Sequence, residues 1–142
     1  MDIRPLTPEY AVSPQIDPED MPAIVAAGYT TVINNRPCEE IPPSHRNDVM
    51  KAAAEAAGLT FVTLPVNHMT LNMDTAAAQS DACHAATGPV LAYCASGTRC
   101  TIVWALGQAG TLDIGTILQT AAAQGYDLRQ FAPQFDVLSN QT

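Results

Sequence analysis

Val90-Leu-Ala-Tyr93-Cys94-Ala-Ser-Gly97-Thr-Arg99-Cys100-Thr-Ile-Val-Trp104-Ala-Leu106 is the stretch on which the reading of this chain turns. Val90 to Tyr93 read as a buried apolar strand, and the residues after Arg99 read as an apolar helix. Between them lies a loop of small residues, opened by a thiol and closed by a guanidinium. Such a loop turns backbone N–H groups toward one point, with the positive end of the helix behind them. A thiol at its first position sits where a thiolate is stabilised; free cysteine titrates near about 8.5, and these surroundings lower that by one to several units. Gly97 is free to take a positive φ, while Ala95 and Ser96 leave the interior of the loop open. Arg99 offers a planar, permanently charged fork to an oxyanion. Cys94 is therefore the candidate nucleophile and Arg99 its partner, with Ala95, Ser96, Gly97, Thr98 and Cys100 lining an anion cradle.

Outward from that loop, strand and helix signals alternate. Residues 1–9 are polar and proline-marked and read as a lead-in, and Tyr10–Ser13 as a short edge strand. Asp17-Pro18-Glu19-Asp20 reads as a helix start, with an Asp cap, an early proline and acids at the positive dipole end. That helix stops at Gly28. Tyr29–Ile33 is β-branched and aromatic, a good strand. A turn-rich loop, Asn34–Pro43, follows, then a helix capped by Ser44, running from Val49 to Ala57 and ending at Gly58. Leu59–Leu64 is the next strand, closed by Pro65. A loop from Val66 to Met73 carries His68, and Asp74 is expected to cap an alanine-rich helix ending near Gly88-Pro89. After the opening stretch, two helical segments, about 113–124 and from Leu128 onward, complete the chain. The expected architecture is α/β: a mainly parallel sheet of four or five strands flanked by helices, in one domain spanning 1–142. Ligands of such sheets bind beyond the C-terminal strand ends, where Asn34–Pro43, Val66–Met73 and Cys94–Arg99 meet.

Bulk properties narrow the function. The 142 residues carry six basic and fourteen acidic side chains, a formal charge of −8. That balance disfavours nucleic acid. No apolar run approaches the ~20 residues of a membrane span, and no secretory leader is visible, so a cytoplasmic location is expected. The four cysteines (Cys38, Cys83, Cys94, Cys100) and three histidines show neither a C-x-x-C nor an H-x-x-x-H spacing, so neither a metal nor any cofactor is expected. The expected partner is a small anionic substrate carrying sulfur or phosphate. The sequence does not determine the oligomeric state.

The spacing Cys94-x-x-Gly97-x-Arg99 resembles the active loop of rhodanese-type sulfurtransferases, and Tyr93 before the cysteine fits that likeness. Protein tyrosine and dual-specificity phosphatases place five residues between Cys and Arg; here there are four. The wider chain resembles the "domain of unknown function 442" family, also called the phosphatase-like domain of β-lactamase hydrolase-like proteins. Ser13-Pro-Gln15, Gly28–Pro37, Ala57-Gly-Leu, Leu64-Pro-Val and Gly88–Arg99 carry that resemblance, over most of residues 10–130. It implies a protein tyrosine or dual-specificity phosphatase-like fold. The chain departs from the usual pattern at Cys38 and Ile41. Ala95 replaces a common basic residue and Cys100 the usual Ser.

Both chemistries run through a covalent thiolate adduct. Loop length favours sulfur transfer: a ring one residue shorter matches the single outer sulfur of a persulfide better than a phosphoryl group with three equatorial oxygens. A phosphatase also needs an acid for the leaving alkoxide, and Val66–Met73 offers Asn67 and His68 but no carboxylate. The expectation is therefore a rhodanese-like sulfurtransferase, which moves sulfane sulfur from thiosulfate or a persulfide through Cys94 to a thiol or cyanide-type acceptor. A cysteine-dependent phosphatase working through phosphocysteine is the alternative, and a thiol redox sensor or anion-binding module the second. Arg36 is a candidate for the substrate's anionic part or for pairing with Glu39 or Glu40. His68 and Cys38 are candidate accessory groups, and Cys100 either resolves a Cys94 adduct or stands in for Ser.

Overall fold

Four parallel strands end together at one edge, and that alignment builds the site. The computed structural model describes residues 2–67, 72–109 and 111–135. Its strands are β1 (Arg4–Thr7), β2 (Tyr10–Ser13), β3 (Thr31–Asn34), β4 (Thr60–Thr63) and β5 (Val90–Tyr93), in the spatial order β1-β2-β5-β3-β4. β2, β5, β3 and β4 are parallel, and β1 runs antiparallel to β2. The register sets Ser13 and Asn34 against Tyr93, and Thr63 against Asn34, so the chain leaves all four strands at one level.

β5 lies at the centre and is buried along its whole length. Its alternating side chains serve two cores. Val90, Ala92 and Cys94 face a cluster with Ile102 and Leu106 of α4 (Thr98–Gln108), Ala76 of α3 (Met73–Ala85) and Ile117 of α5 (Ile114–Ala123). Leu91 and Tyr93 face a second cluster with Met21 and Ile24 of α1 (Met21–Ala26) and Met50 and Ala54 of α2 (Asn47–Ala56). α4 carries buried residues on every side, from Cys100 to Leu106. An all-apolar helix of this kind has to lie between a sheet and further helices.

The α/β fold with a mainly parallel five-stranded sheet is as expected, but several boundaries differ. The first nine residues are not a loose lead-in: Arg4–Thr7 pairs with β2, and Leu6 is buried. β2 is consequently interior rather than an edge. The acid–proline run at Asp17 forms a 3-10 turn, Pro18–Asp20, and α1 begins only at Met21. Pro43–His45 is a second such turn; α2 starts at Asn47, so Ser44 does not cap it. Asn72, not Asp74, caps α3, accepting from the Thr75 N–H at 3.0 Å. Asp74 thereby falls in the first turn, where its charge suits the dipole. Asp113 does cap α5, and Gly28 and Gly58 take φ of 103° and 93° where α1 and α2 stop. No helix among the described residues is long and apolar enough to cross a membrane.

Candidate active site

At the end of β5 the backbone turns sharply through Cys94–Gly97 into α4. Gly97 sits at the helix N-cap with φ 93°, a left-handed conformation. Its α-carbon lies against Tyr126, whose hydroxyl occupies the space a Cβ would need. Glycine is required there twice over, by dihedral and by space. Tyr126 donates to the Ser96 carbonyl at 3.0 Å, and the Thr101 N–H and hydroxyl both reach the Gly97 carbonyl, at 3.1 and 2.9 Å. On its outer side the loop is tied to the strand-end neighbour β2: the Gln15 N–H bonds the Ala95 carbonyl at 3.2 Å. The loop's carbonyls are thus pinned on several sides, and its N–H groups turn inward apart from that of Thr98, which donates to Ser96 Oγ at 3.3 Å.

They converge on sulfur. The Gly97 N–H lies 3.1 Å from Cys94 Sγ. The Cys94 thiol is pulled down from 9.0 to about 5, foremost by a hydrogen bond from the Cys100 thiol and then by the N–H groups of Cys100, Gly97 and Arg99, against an opposing penalty from burial. Cys94 is completely buried, at the base of a loop whose Ala95 and Ser96 are exposed. Cys100, one turn into the helix, moves the other way: burial and the neighbouring Cys94 charge push its thiol well up. The opposite shifts make Cys94 the more acidic thiol of the two and keep the proton on Cys100.

Arg99 is held in a fork. Its Nη1 and Nη2 each lie 2.8 Å from a Glu40 oxygen, and Nη1 also donates to the Val66 carbonyl at 3.1 Å. Arg36 joins from the other side, with Nε 3.5 Å from Glu40 and Nη1 3.1 Å from Gln15 Oε1. The two guanidinium groups hold the Glu40 carboxyl below its usual range, Arg99 more than Arg36. Bidentate pairing of this kind fixes orientation as much as it adds energy.

Beneath the loop runs a buried chain of amides. The Asn35 and Gln79 side chains bond each other twice, at 2.8 and 2.9 Å. Asn35 also donates to the Leu64 carbonyl at 2.8 Å, and its backbone joins Tyr93 and Val66. Gln79 donates to Tyr10 Oη at 3.2 Å, and that hydroxyl donates to the Cys100 carbonyl at 2.9 Å. The chain links β3, the exit of β4, α3, β2 and the first turn of α4. Val66, which accepts from Arg99, lies within it. Unpaired, buried groups of this sort are costly, so the chain has a strong preference for one arrangement.

The structure therefore brings together Cys94, Ala95, Ser96, Gly97, Thr98, Arg99 and Cys100, as the spacing implied, and adds Arg36 through Glu40. Arg36 pairs with Glu40, the structural option weighed for it. Cys38 is exposed, its thiol turned to Glu39 at 3.5 Å. His68 lies outside the described residues. Tyr93 packs on the opposite face of the sheet from Cys94, with Met21, Ile24 and Met50. Glu40, Gln15, Asn35, Gln79, Tyr10 and Tyr126 were not read as site residues. Two amides directly after a β-branched strand, Asn34-Asn35, were the one usable signal. No cluster of three or more His, Cys, Asp or Glu suited to a metal occurs among the described residues.

With this geometry in hand, the likeness to known proteins is informative. The family described as "Beta-lactamase hydrolase-like protein, phosphatase-like domain" matches residues 2–111. A β-lactamase hydrolase-like protein of Agrobacterium fabrum is 34% identical over 111 residues, 77% of this chain and 26% of that protein. The chain spans about a quarter to a third of the length of the curated relatives it matches. The crystal structure of a candidate phosphatase from Neisseria meningitidis superposes with a TM-score of 0.85 at 31% identity, covering 97% of this chain and 99% of that one. A Cys-to-Ser variant of TpbA from P. aeruginosa, solved with phosphotyrosine, shares the fold: TM-score 0.70 at 15% identity, over 99% of this chain and 89% of that one.

Proposed function

The chain belongs to the phosphatase-like domain family of β-lactamase hydrolase-like proteins, and from that premise we propose that it is a cysteine-dependent phosphatase acting on small phosphate monoesters. The observation that carries this reading is the Cys94 thiolate, stabilised down to about 5 at the N-terminus of α4 inside a phosphatase-like frame. In the proposed mechanism Cys94 attacks phosphorus, an S–P bond forms and the ester P–O bond breaks. The N–H groups of residues 95–100 and the Arg99 guanidinium receive the phosphoryl oxygens, the usual electrostatic contribution in such transfers. Water then hydrolyses the phosphocysteine and returns the thiolate. The 142 residues act in this as one unit, which its longer relatives combine with further sequence.

Leaving-group chemistry sharpens the substrate class. The segment Leu64–Asn67 bears no carboxylate, and Glu40 is held ionised between two arginines. With no carboxylate on Leu64–Asn67 to protonate a leaving alkoxide, esters whose leaving group departs unprotonated are favoured, as with aryl phosphates. A positioned general acid is worth about 10²–10⁴-fold. Hydrolysis of p-nitrophenyl phosphate is expected to exceed that of a simple alkyl phosphate by at least about 10²-fold, and Cys94→Ser to abolish both. Phosphate release unaffected by Cys94→Ser would overturn the assignment.

One observation keeps sulfur transfer as a second reading: only four residues separate Cys94 from Arg99. Incubation with thiosulfate followed by intact-mass measurement decides between the two. Gain of one sulfur on Cys94 with no phosphatase signal would favour transfer. Inertness in both assays would favour a thiol sensor or an anion-binding module.

A further inference from the structure

At the end of the sheet opposite the active loop, a cavity of about 480 Å³ lies between α3, α4 and the starts of β2 and β5. We propose that this cavity is a second binding site, for a small uncharged aromatic amide.

Short side chains leave the space open. α3 buries only Ala76 and Gln79, and the other side chains it turns to the cavity include the short Ser80 and Cys83. Val103 and Trp104 of α4 form the facing wall, but Gly107 adds nothing to it. A Cβ at Gly107 would meet only the Ala76 carbonyl oxygen, at 3.8 Å. Interiors are otherwise close-packed, and the volume falls within the range of small-molecule sites, about 300–1,000 Å³.

The wall's polar groups set the ligand's chemistry. Trp104 is only 7% exposed, yet its indole N–H has no hydrogen-bond partner among the described residues and remains accessible. A Trp N–H at that depth ordinarily finds an acceptor; here the acceptor has to come from whatever fills the cavity. The other buried donors of the wall are spent. Both Gln79 N–H groups go to Tyr10 and Asn35, and the Tyr10 hydroxyl goes to the Cys100 carbonyl. Charge narrows the class further. The lining holds no lysine or arginine, and the exposed Glu9 stands at its rim. An anion would enter against that carboxylate, on a chain of net charge −8. Burial pushes the Cys83 thiol up to about 11, so it stays neutral. An aromatic ring suits the surface made by Ala76, Pro89, Val103 and Trp104. The amide carbonyl takes the Trp104 proton, and its NH₂ is a donor that the Glu9 carboxylate can accept.

The chain has a single tryptophan, so one indole cross-peak in a proton–nitrogen correlation spectrum reports on the wall directly. The isotope-labelled full-length protein is titrated with benzamide and, in parallel, with benzoate, which has nearly the same shape and a negative charge. Millimolar affinity is expected of a fragment this small. Benzamide should move the indole proton downfield in a saturable way, together with the backbone amides of Thr87 and Gly107. Benzoate should bind at least about tenfold more weakly, because of Glu9. Gly107→Leu fills the space from α4 and lies outside the active loop. It should erase the saturable shifts while leaving thermal unfolding and p-nitrophenyl phosphate hydrolysis unchanged. Ser80→Leu, from the facing helix, is an independent second filling with the same expected result. An indole peak that stays in place up to the solubility limit of benzamide overturns the proposal. So does an equal response to benzoate, or a full response in either filled variant that remains folded. Cys94→Ser should leave the benzamide titration untouched, so the site stands or falls apart from the phosphatase reading.

Discussion

At the scale of single residues, Cys94 and Glu40 carry the most specific expectations. Folding lowers the Cys94 thiol from 9.0 to about 5. The ionised form therefore stabilises the folded chain fully at pH above about 9, and that contribution is lost as pH falls through about 5. Thiolate absorbance near 240 nm, recorded against pH, is expected to give a midpoint close to 5 that Cys94→Ser removes. Cys100→Ala removes the neighbour that contributes most to lowering the Cys94 thiol and should move the midpoint upward; no movement would show that the backbone N–H groups suffice. In the proposed reaction Glu40 acts through Arg99, which it holds in a bidentate pair, as a positioning residue. Its partly exposed ion pairs are worth at most about 1 kcal/mol to stability. Glu40→Gln should accordingly leave thermal unfolding nearly unchanged. Loss of the fork that aims Arg99 should nonetheless cut kcat/KM by about tenfold or more, since small misplacements of a charged clamp are expensive. Equal losses in stability and turnover would mean that Glu40 merely supports the fold.

At the scale of elements, the strand–loop–helix unit β5–α4 depends on partners far away in sequence. Gly97 must take φ 93° with its α-carbon against Tyr126. Gly97→Ala is expected to destabilise by about 2 kcal/mol or more, since it adds backbone strain to a clash. Introducing Tyr126→Phe alongside it should recover part of that loss by removing the hydroxyl in the way, which denaturant unfolding of the single and double variants would reveal. The buried amide chain behaves similarly. Gln79→Leu leaves Asn35 and the Tyr10 hydroxyl short of partners, a cost of about 1–3 kcal/mol for each buried group stranded. It should also loosen the exits of β4 and β5 together, visible as faster amide exchange at Val66 and Gly97 than at Val32 in the middle of β3. Uniform acceleration across the sheet would speak against a local role.

At the scale of the whole molecule, the edge strand decides more than its composition suggests. β1 supplies one ladder of the sheet, buries Leu6, and places Arg4 5.2 Å from the Tyr126 ring centroid, behind the active loop. Deleting residues 1–8 is expected to cost about 3 kcal/mol, on the order of one buried leucine plus the ladder, and to lower Tm by about 10 °C. An unchanged Tm would return these residues to the status of a lead-in. The sequence by itself determined the alternation of strands and helices and the α/β class, and it singled out the loop from Cys94 to Arg99 as the candidate site. Those are local properties: hydrophobic periodicity, glycine stops, and a fixed spacing of thiol and guanidinium within one turn of chain. It did not determine that Arg4–Thr7 is a strand, because a four-residue edge strand with a proline gains its stability from the neighbour it pairs with. Nor did it show Glu40 on Arg99, Tyr126 behind Gly97, or the Asn35–Gln79–Tyr10 chain under Cys100. These contacts span 29 to 90 positions and exist only because a parallel register ends four strands at one level. Tertiary structure also placed Tyr93, which the alternation of β5 sends to the opposite face from Cys94. Local chemistry named the candidate nucleophile; only the packing of distant segments decided what pins its loop and what holds its arginine.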